Sequence, residues 1–156
     1  MRLRKILAAT DLTANSDAAI SAALDLARSD GGNVTLLHVC ELLPYSTPEL
    51  GMYTPSPEMT ADIIDNAKRS LERVRARSGG KGVAVEAAWV LGAPAAEIVR
   101  YAAEHDFDLI VVGSHGRRGF RRLVLGSVAE AVVRTADRPV LTVHGQPAAP
   151  VEASTF

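Results

Sequence analysis

The apolar run Phe107-Asp108-Leu109-Ile110-Val111-Val112 leads into Gly113-Ser114-His115-Gly116-Arg117-Arg118-Gly119-Phe120-Arg121-Arg122-Leu123-Val124-Leu125-Gly126-Ser127. A short continuous apolar run bounded by glycine reads as a buried strand that ends in a loop. Beyond the loop, Ser127-Val128-Ala129-Glu130 has the spacing of a capping box. This predicts a helix capped by Ser127, with its amide donors and positive dipole end facing the loop. That geometry suits an anion. Gly113 and Gly116 let the backbone approach phosphate with no Cβ in the way, and Gly126 allows a positive φ just ahead of the helix. Neither of the commoner nucleotide motifs is present: no Lys follows Gly126, as a P-loop requires, and Gly113, Gly116 and Gly119 are evenly spaced rather than arranged as G-x-G-x-x-G.

Working outward, the same alternation recurs along the chain. Residues 5–10 give a first strand, and Asp11-Leu12-Thr13-Ala14-Asn15-Ser16 supplies turn and cap residues before a helix with Ile20, Ala23, Leu24 and Ala27 on one face. Gly31-Gly32 ends that helix. Residues 34–40 are a second continuous apolar strand, which predicts helices over both its faces. Residues 41–57, with Pro44, Pro48, Pro55 and Pro57, fit no period and read as one long loop, of a kind that often serves as a lid. From Glu58, Ile64, Ala67, Leu71 and Val74 recur at helical spacing until Gly79-Gly80. Val83, Val85, Ala87 and Trp89 then alternate with other residues, as an edge strand should. Pro94 stands at a first helical position ahead of Ile98, Tyr101 and Ala102. Residues 139–143 close the sheet. A domain over 1–145 and a loosely held tail over 146–156, rich in Ala and Pro, are expected. Strands alternating with helices predict a doubly wound α/β fold, a parallel sheet with right-handed crossovers and helices on both faces. Such folds bind ligands at the carboxyl ends of the strands, where successive crossovers leave in opposite directions.

Composition narrows the function. A chain of 156 residues fits one domain, since domains cluster at roughly 100 to 150 residues. Aromatics are only 4% of the residues, so the core must be built from Ala, Val, Leu and Ile. A formal net charge of −1 argues against a general polyanion binder. The single Cys40 cannot form an internal disulfide and reads as a buried, inert thiol in a reducing compartment. The basic then apolar N-terminus stops at Thr10-Asp11, too short for a signal segment or a membrane span. A soluble cytoplasmic protein is expected.

Gly113, Gly116, Gly126 and Ser127 stand in the pattern glycine, two residues, glycine, nine residues, glycine, serine. In this the chain resembles the ATP-binding members of the universal stress protein family, and the resemblance extends over almost its whole length. It implies a Rossmann-like sheet of strand order 3-2-1-4-5, similar to that of the adenine nucleotide alpha hydrolases. The crevice would then lie between the strand ending at Asp11 and the strand ending at Gly113. The resemblance also implies ATP and Mg²⁺ as ligands, held by Thr10, Asp11, Val39, Gly113, Ser114, His115, Gly116, Arg117, Gly126, Ser127 and Val128. In the family, the position of Val39 offers backbone groups to adenine. A regulatory or stress-response role and a homodimer through the last strand, 139–143, are likewise implied.

Several of these residues have a second reading. Asp11 follows a buried strand at the switch point, but could equally serve the local turn that caps the next helix. Val39 could be core packing alone. Ser127 could bond phosphate, cap its helix, or both. Ser114 and His115 could reach phosphate or be plain loop residues. Arg117, Arg118, Arg121 and Arg122 form a basic cluster that could meet a triphosphate or simply be a solvated face, and without interleaved aromatics they make a thin footprint for nucleic acid. His38, His105 and His144 lie on different elements with no zinc-like spacing. Three functions compete: a nucleotide-dependent regulator, an interaction module of the same fold with an empty pocket, and an enzyme hydrolysing ATP slowly at most. A receiver-type phosphotransfer domain is disfavoured, because Asp11 stands alone and His144-Gly145, not a lysine, follows the last strand.

Overall fold

The computed structural model describes residues 1–42, 54–80, 82–114 and 125–145, and the backbone of 45–47 and 51–53. The chain runs β1 (Lys5–Ala9), α1 (Asp17–Asp30), β2 (Asn33–Cys40), β3 (Tyr45–Thr47), β4 (Gly51–Tyr53), α2 (Pro57–Ser78), β5 (Val85–Leu91), α3 (Pro94–Glu104), β6 (Leu109–Gly113), α4 (Ser127–Thr135) and β7 (Val140–Val143). Five strands make one parallel sheet in the order β5-β2-β1-β6-β7. Counted among those five, this is the expected 3-2-1-4-5.

Side chains alternate across a strand, so the central strands feed two cores. Ile6 and Ala8 of β1 and Val34 and Leu36 of β2 pack with Ala19, Ile20, Ala23 and Ala27 of α1 and with Leu71 and Val74 of α2. On the other face, Leu7, Leu37, Ile110 and Val112 pack with Ile98 and Ala102 of α3 and Ala129 and Val132 of α4. Burial on both faces is why these strands read as unbroken apolar runs. β5, covered on one edge only, is partly exposed along most of its length. Cys40 is buried at the end of β2, and burial pushes its thiol pKa up, partly countered by the Lys68 ammonium. This agrees with an inert thiol.

The sequence reading of 41–57 needs two corrections. β3 and β4 pair antiparallel, with Tyr45 opposite Tyr53 and Thr47 opposite Gly51, so the segment contains a hairpin. Strands of three residues are too short for a period to register. Pro57, placed in the loop, is the first residue of α2, and the Ser56 hydroxyl caps that helix by accepting from Met59 N at 3.2 Å. The calls on 146–156 lie outside the described residues.

The crossovers through α1 and α2 carry the chain outward from β1 to β2 and β5 on one face. α3 then returns it, on the opposite face, to β6 on the far side of β1. Direction therefore reverses beside β1, which makes its carboxyl end the switch point.

Candidate functional site: a crevice at the end of β1

The backbone ladder shows how the crevice forms. Asn33 N donates to Arg4 O and Thr10 N to Leu37 O, while Val34 N donates to Ala84 O and Gly92 N to Cys40 O. Odd-numbered residues of β2 thus turn their N–H and C=O groups toward β1, and even-numbered ones toward β5. Pairing of β1 with β2 ends at Ala9 and Leu37, whereas β2 with β5 continues to Cys40 and Leu91. Val39 therefore aims its peptide groups at a level where β1 has already turned away. On the other flank, β1 with β6 stops at Ala8 and Val111, whereas β6 with β7 runs on to Gly113 and Val143. The result is a notch one strand wide, flanked by Val39 and Gly113. The Val39 side chain packs against the α3 and α4 core, and that packing leaves its peptide groups facing the notch.

The turn after β1 is held from within. Thr10 is buried; its Oγ1 lies 2.8 Å from Ser16 Oγ and accepts from Leu12 N at 3.0 Å. Its carbonyl meets His38 Nδ1 at 2.9 Å; because a carbonyl only accepts, that nitrogen carries the proton. Asp11 Oδ1 accepts from Thr13 N at 2.9 Å and from Thr13 Oγ1 at 2.7 Å, the turn-forming role weighed against a ligand role. Leu12 adopts a φ of 65°, a left-handed conformation uncommon for a branched residue. The buried hydrogen bonds around it compensate that strain. The hydroxyl of Thr10 thus faces the protein, and the turn it stabilises presents Asp11 at the switch point.

At the start of α4 the structure corrects two readings. Gly126, not Ser127, is the N-cap: its φ of −59° and ψ of 157° are extended, and its carbonyl already accepts the first helical bond from Glu130 N at 2.9 Å. No positive φ is used there, and the predicted capping box does not form; Glu130 Oε1 instead takes Arg134 at 3.1 Å. The amide of Gly126 donates to Ser114 O at 2.6 Å, so it is engaged inside the protein. Ser127 and Val128 are left as the first helical residues, with their amides at the positive end of α4 and the Ser127 hydroxyl relieved of capping.

Ser114 is 1% exposed. Its amide donates to Val143 O at 2.9 Å, and its Oγ lies 2.5 Å from Nδ1 of His144, a residue that sequence reasoning left out of the site. Of the other described histidines, His38 meets the Thr10 carbonyl and His105 the Tyr101 carbonyl at 3.0 Å. Among the described residues no three His, Cys, Asp or Glu side chains gather as a metal site, and no helix is long and apolar enough to cross a membrane. His115, Gly116 and Arg117, with Arg118, Arg121 and Arg122, lie outside the described residues.

The model of the universal stress protein family matches residues 2–144. The chain is 35% identical over 145 residues to universal stress protein YxiE of Bacillus subtilis, covering 90% of this chain and 98% of that protein. It superposes on the structure of universal stress protein UspA from Lactobacillus plantarum with a TM-score of 0.77 at 26% identity, over 92% of this chain and 99% of that one. The universal stress protein from Archaeoglobus fulgidus, whose structure is a complex with dAMP, superposes with a TM-score of 0.66 at 25% identity, over 91% and 98% of the two chains.

Proposed function

The chain belongs to the universal stress protein family, and from that premise we propose that it binds ATP, with Mg²⁺ carried on the phosphates, at the crevice beside β1 and acts as a nucleotide-dependent regulator. The observation that carries this reading is the convergence of backbone groups that pair with no described residue. Val39 faces the notch from one side, and Gly113 and the first amides of α4 close it from the other. Val39 would take the adenine edge, whereas Ser127 and Val128 would take phosphate by the means common to helix N-termini. The glycine and serine spacing around Gly113, Gly116, Gly126 and Ser127, and the dAMP held by the Archaeoglobus fulgidus relative, support an adenine nucleotide. Bound Mg²⁺ would neutralise phosphate charge, with Asp11 the carboxylate at hand, although its Oδ1 already serves Thr13. Among the described residues no three His, Cys, Asp or Glu side chains gather to hold a metal ion, which favours holding ATP over rapid turnover. We further propose a homodimer through the outer edge of β7, in a soluble cytoplasmic protein.

Calorimetry with Mg-ATP tests the site. Ser127→Pro is the informative variant, because proline is tolerated at a first helical position and the φ and ψ of Gly126 already suit a residue before proline. It removes one amide donor and one hydroxyl without breaking α4. Binding by the wild type, weakened about tenfold or more in the variant, is expected for the loss of one or two charge-assisted hydrogen bonds. Absence of binding by the wild type would overturn the reading.

A further inference from the structure

Building on the nucleotide-binding reading, we infer that Ser114 and His144 are a positioning pair that sets the phosphate end of the crevice. Three segments meet at Ser114. Its amide holds the end of β7 through Val143 O, its carbonyl holds the N-cap of α4 through Gly126 N at 2.6 Å, and its hydroxyl is held by His144 Nδ1 at 2.5 Å. The residue is 1% exposed and follows Gly113 directly. It is thus enclosed and acts through what it holds, rather than by touching a ligand.

The geometric consequence falls on α4. Gly126 immediately precedes Ser127 and Val128, so the bond from Gly126 N to Ser114 O fixes where the first amides of α4 stand relative to the end of β6. Binding constellations need their donors held to within about 0.5 Å by supporting groups. His144 supplies that support. It lies just past the end of β7, exposed as a residue, while its ring nitrogen reaches the buried hydroxyl. Removing the imidazole takes a close partner from that hydroxyl and so loosens the segment that carries the Gly126 contact. The adenine side, formed by Val39 on β2, shares none of these hydrogen bonds.

This separation gives the pair a distinctive signature. Affinities of adenosine, AMP, ADP and Mg-ATP are measured by calorimetry for the wild type, Ser114→Ala, His144→Ala and the double variant. His144→Asn, whose short amide can reach the same hydroxyl, serves as the conservative control. Adenosine affinity should change less than about twofold, while ATP affinity should fall about tenfold in each single variant, as the loss of one hydrogen bond of ordinary strength predicts. The loss should deepen from AMP to ATP, the double variant should lose no more than either single one, and His144→Asn should recover most of the affinity. Should Ser114→Ala fail to fold, His144→Ala and its Asn control still decide the matter, because His144 is exposed. Equal losses for adenosine and ATP, or no loss, overturn the inference while leaving nucleotide binding intact. A wild type that binds none of the four overturns both.

Discussion

At the scale of single residues, the turn after β1 depends on one buried hydroxyl. Thr10 Oγ1 accepts from Leu12 N and meets Ser16 Oγ, and Leu12 sits at a φ of 65° that a leucine avoids without such support. Thr10→Val keeps the shape and removes the hydroxyl, leaving the Leu12 amide without its acceptor. A cost of ~1 kcal/mol follows for a part-buried donor so abandoned, toward the low end of the penalty for an unsatisfied group. Denaturant unfolding should show it as a lowered midpoint with unchanged slope, and Thr10→Ser should recover much of the difference. A Thr10→Val midpoint equal to the wild type would mean that the turn does not rely on this bond. The sequence makes Thr10 visible only as the residue after an apolar strand; that its hydroxyl points inward depends on Ser16, which the sequence offers equally well as a cap. The Ser114 and His144 contact is less legible still, because its partners stand 30 positions apart and no spacing rule joins them.

Elements were legible in proportion to how far their burial imposes a period. β1, β2 and β6 are covered on both faces and announce themselves as continuous apolar runs, whereas the β3 and β4 hairpin is too short to do so. The sequence points to a cap of α4 one residue late, since Gly126 and Ser127 are both acceptable caps and only the bond from Glu130 N to Gly126 O decides between them. The glycine pair ending α1 shows how one sequence signal hides two mechanisms. Gly31 has a φ of 68° and open space where a Cβ would go, so Gly31→Ala meets only the left-handed backbone penalty, ~1–2 kcal/mol. At Gly32 a Cβ would stand 2.2 Å from Leu3 O and 2.9 Å from Arg4 O, in the backbone entering β1. Gly32→Ala must therefore push apart the start of the β1 and β2 pairing, where Asn33 N bonds Arg4 O. Thermal unfolding should rank Gly32→Ala as clearly the more damaging; the reverse order would remove the steric argument.

At the scale of the whole molecule, the outer edge of β7 presents backbone groups that call for a partner. Ile110 N bonds Pro139 O and Ser114 N bonds Val143 O, so odd-numbered residues face β6, and Val140 and Thr142 turn their peptide groups outward. β7 itself carries no charged residue to blunt this edge, and α4 beside it exposes Val133 at 48%. A second copy related by a two-fold axis would pair antiparallel with the same row, each copy supplying the donors and acceptors that the other lacks. Side-chain substitutions test this poorly, because Leu141 and Val143 pack against the α1 core and Val140 against the α3 and α4 core, so a charge there would damage the monomer. Thr142→Pro acts on the backbone instead. It removes an outward amide that serves no bond to β6, and edge strands accommodate proline for that reason. Sedimentation at micromolar concentration should find the wild type dimeric and the variant dissociated or weakened by about tenfold or more, since each interface loses two donors. Near-native unfolding of the variant monomer would show that the edge, and not the fold, was altered. A monomeric wild type refutes the dimer, and a variant that associates undiminished moves the contact away from β7, to the longer and partly exposed edge at β5.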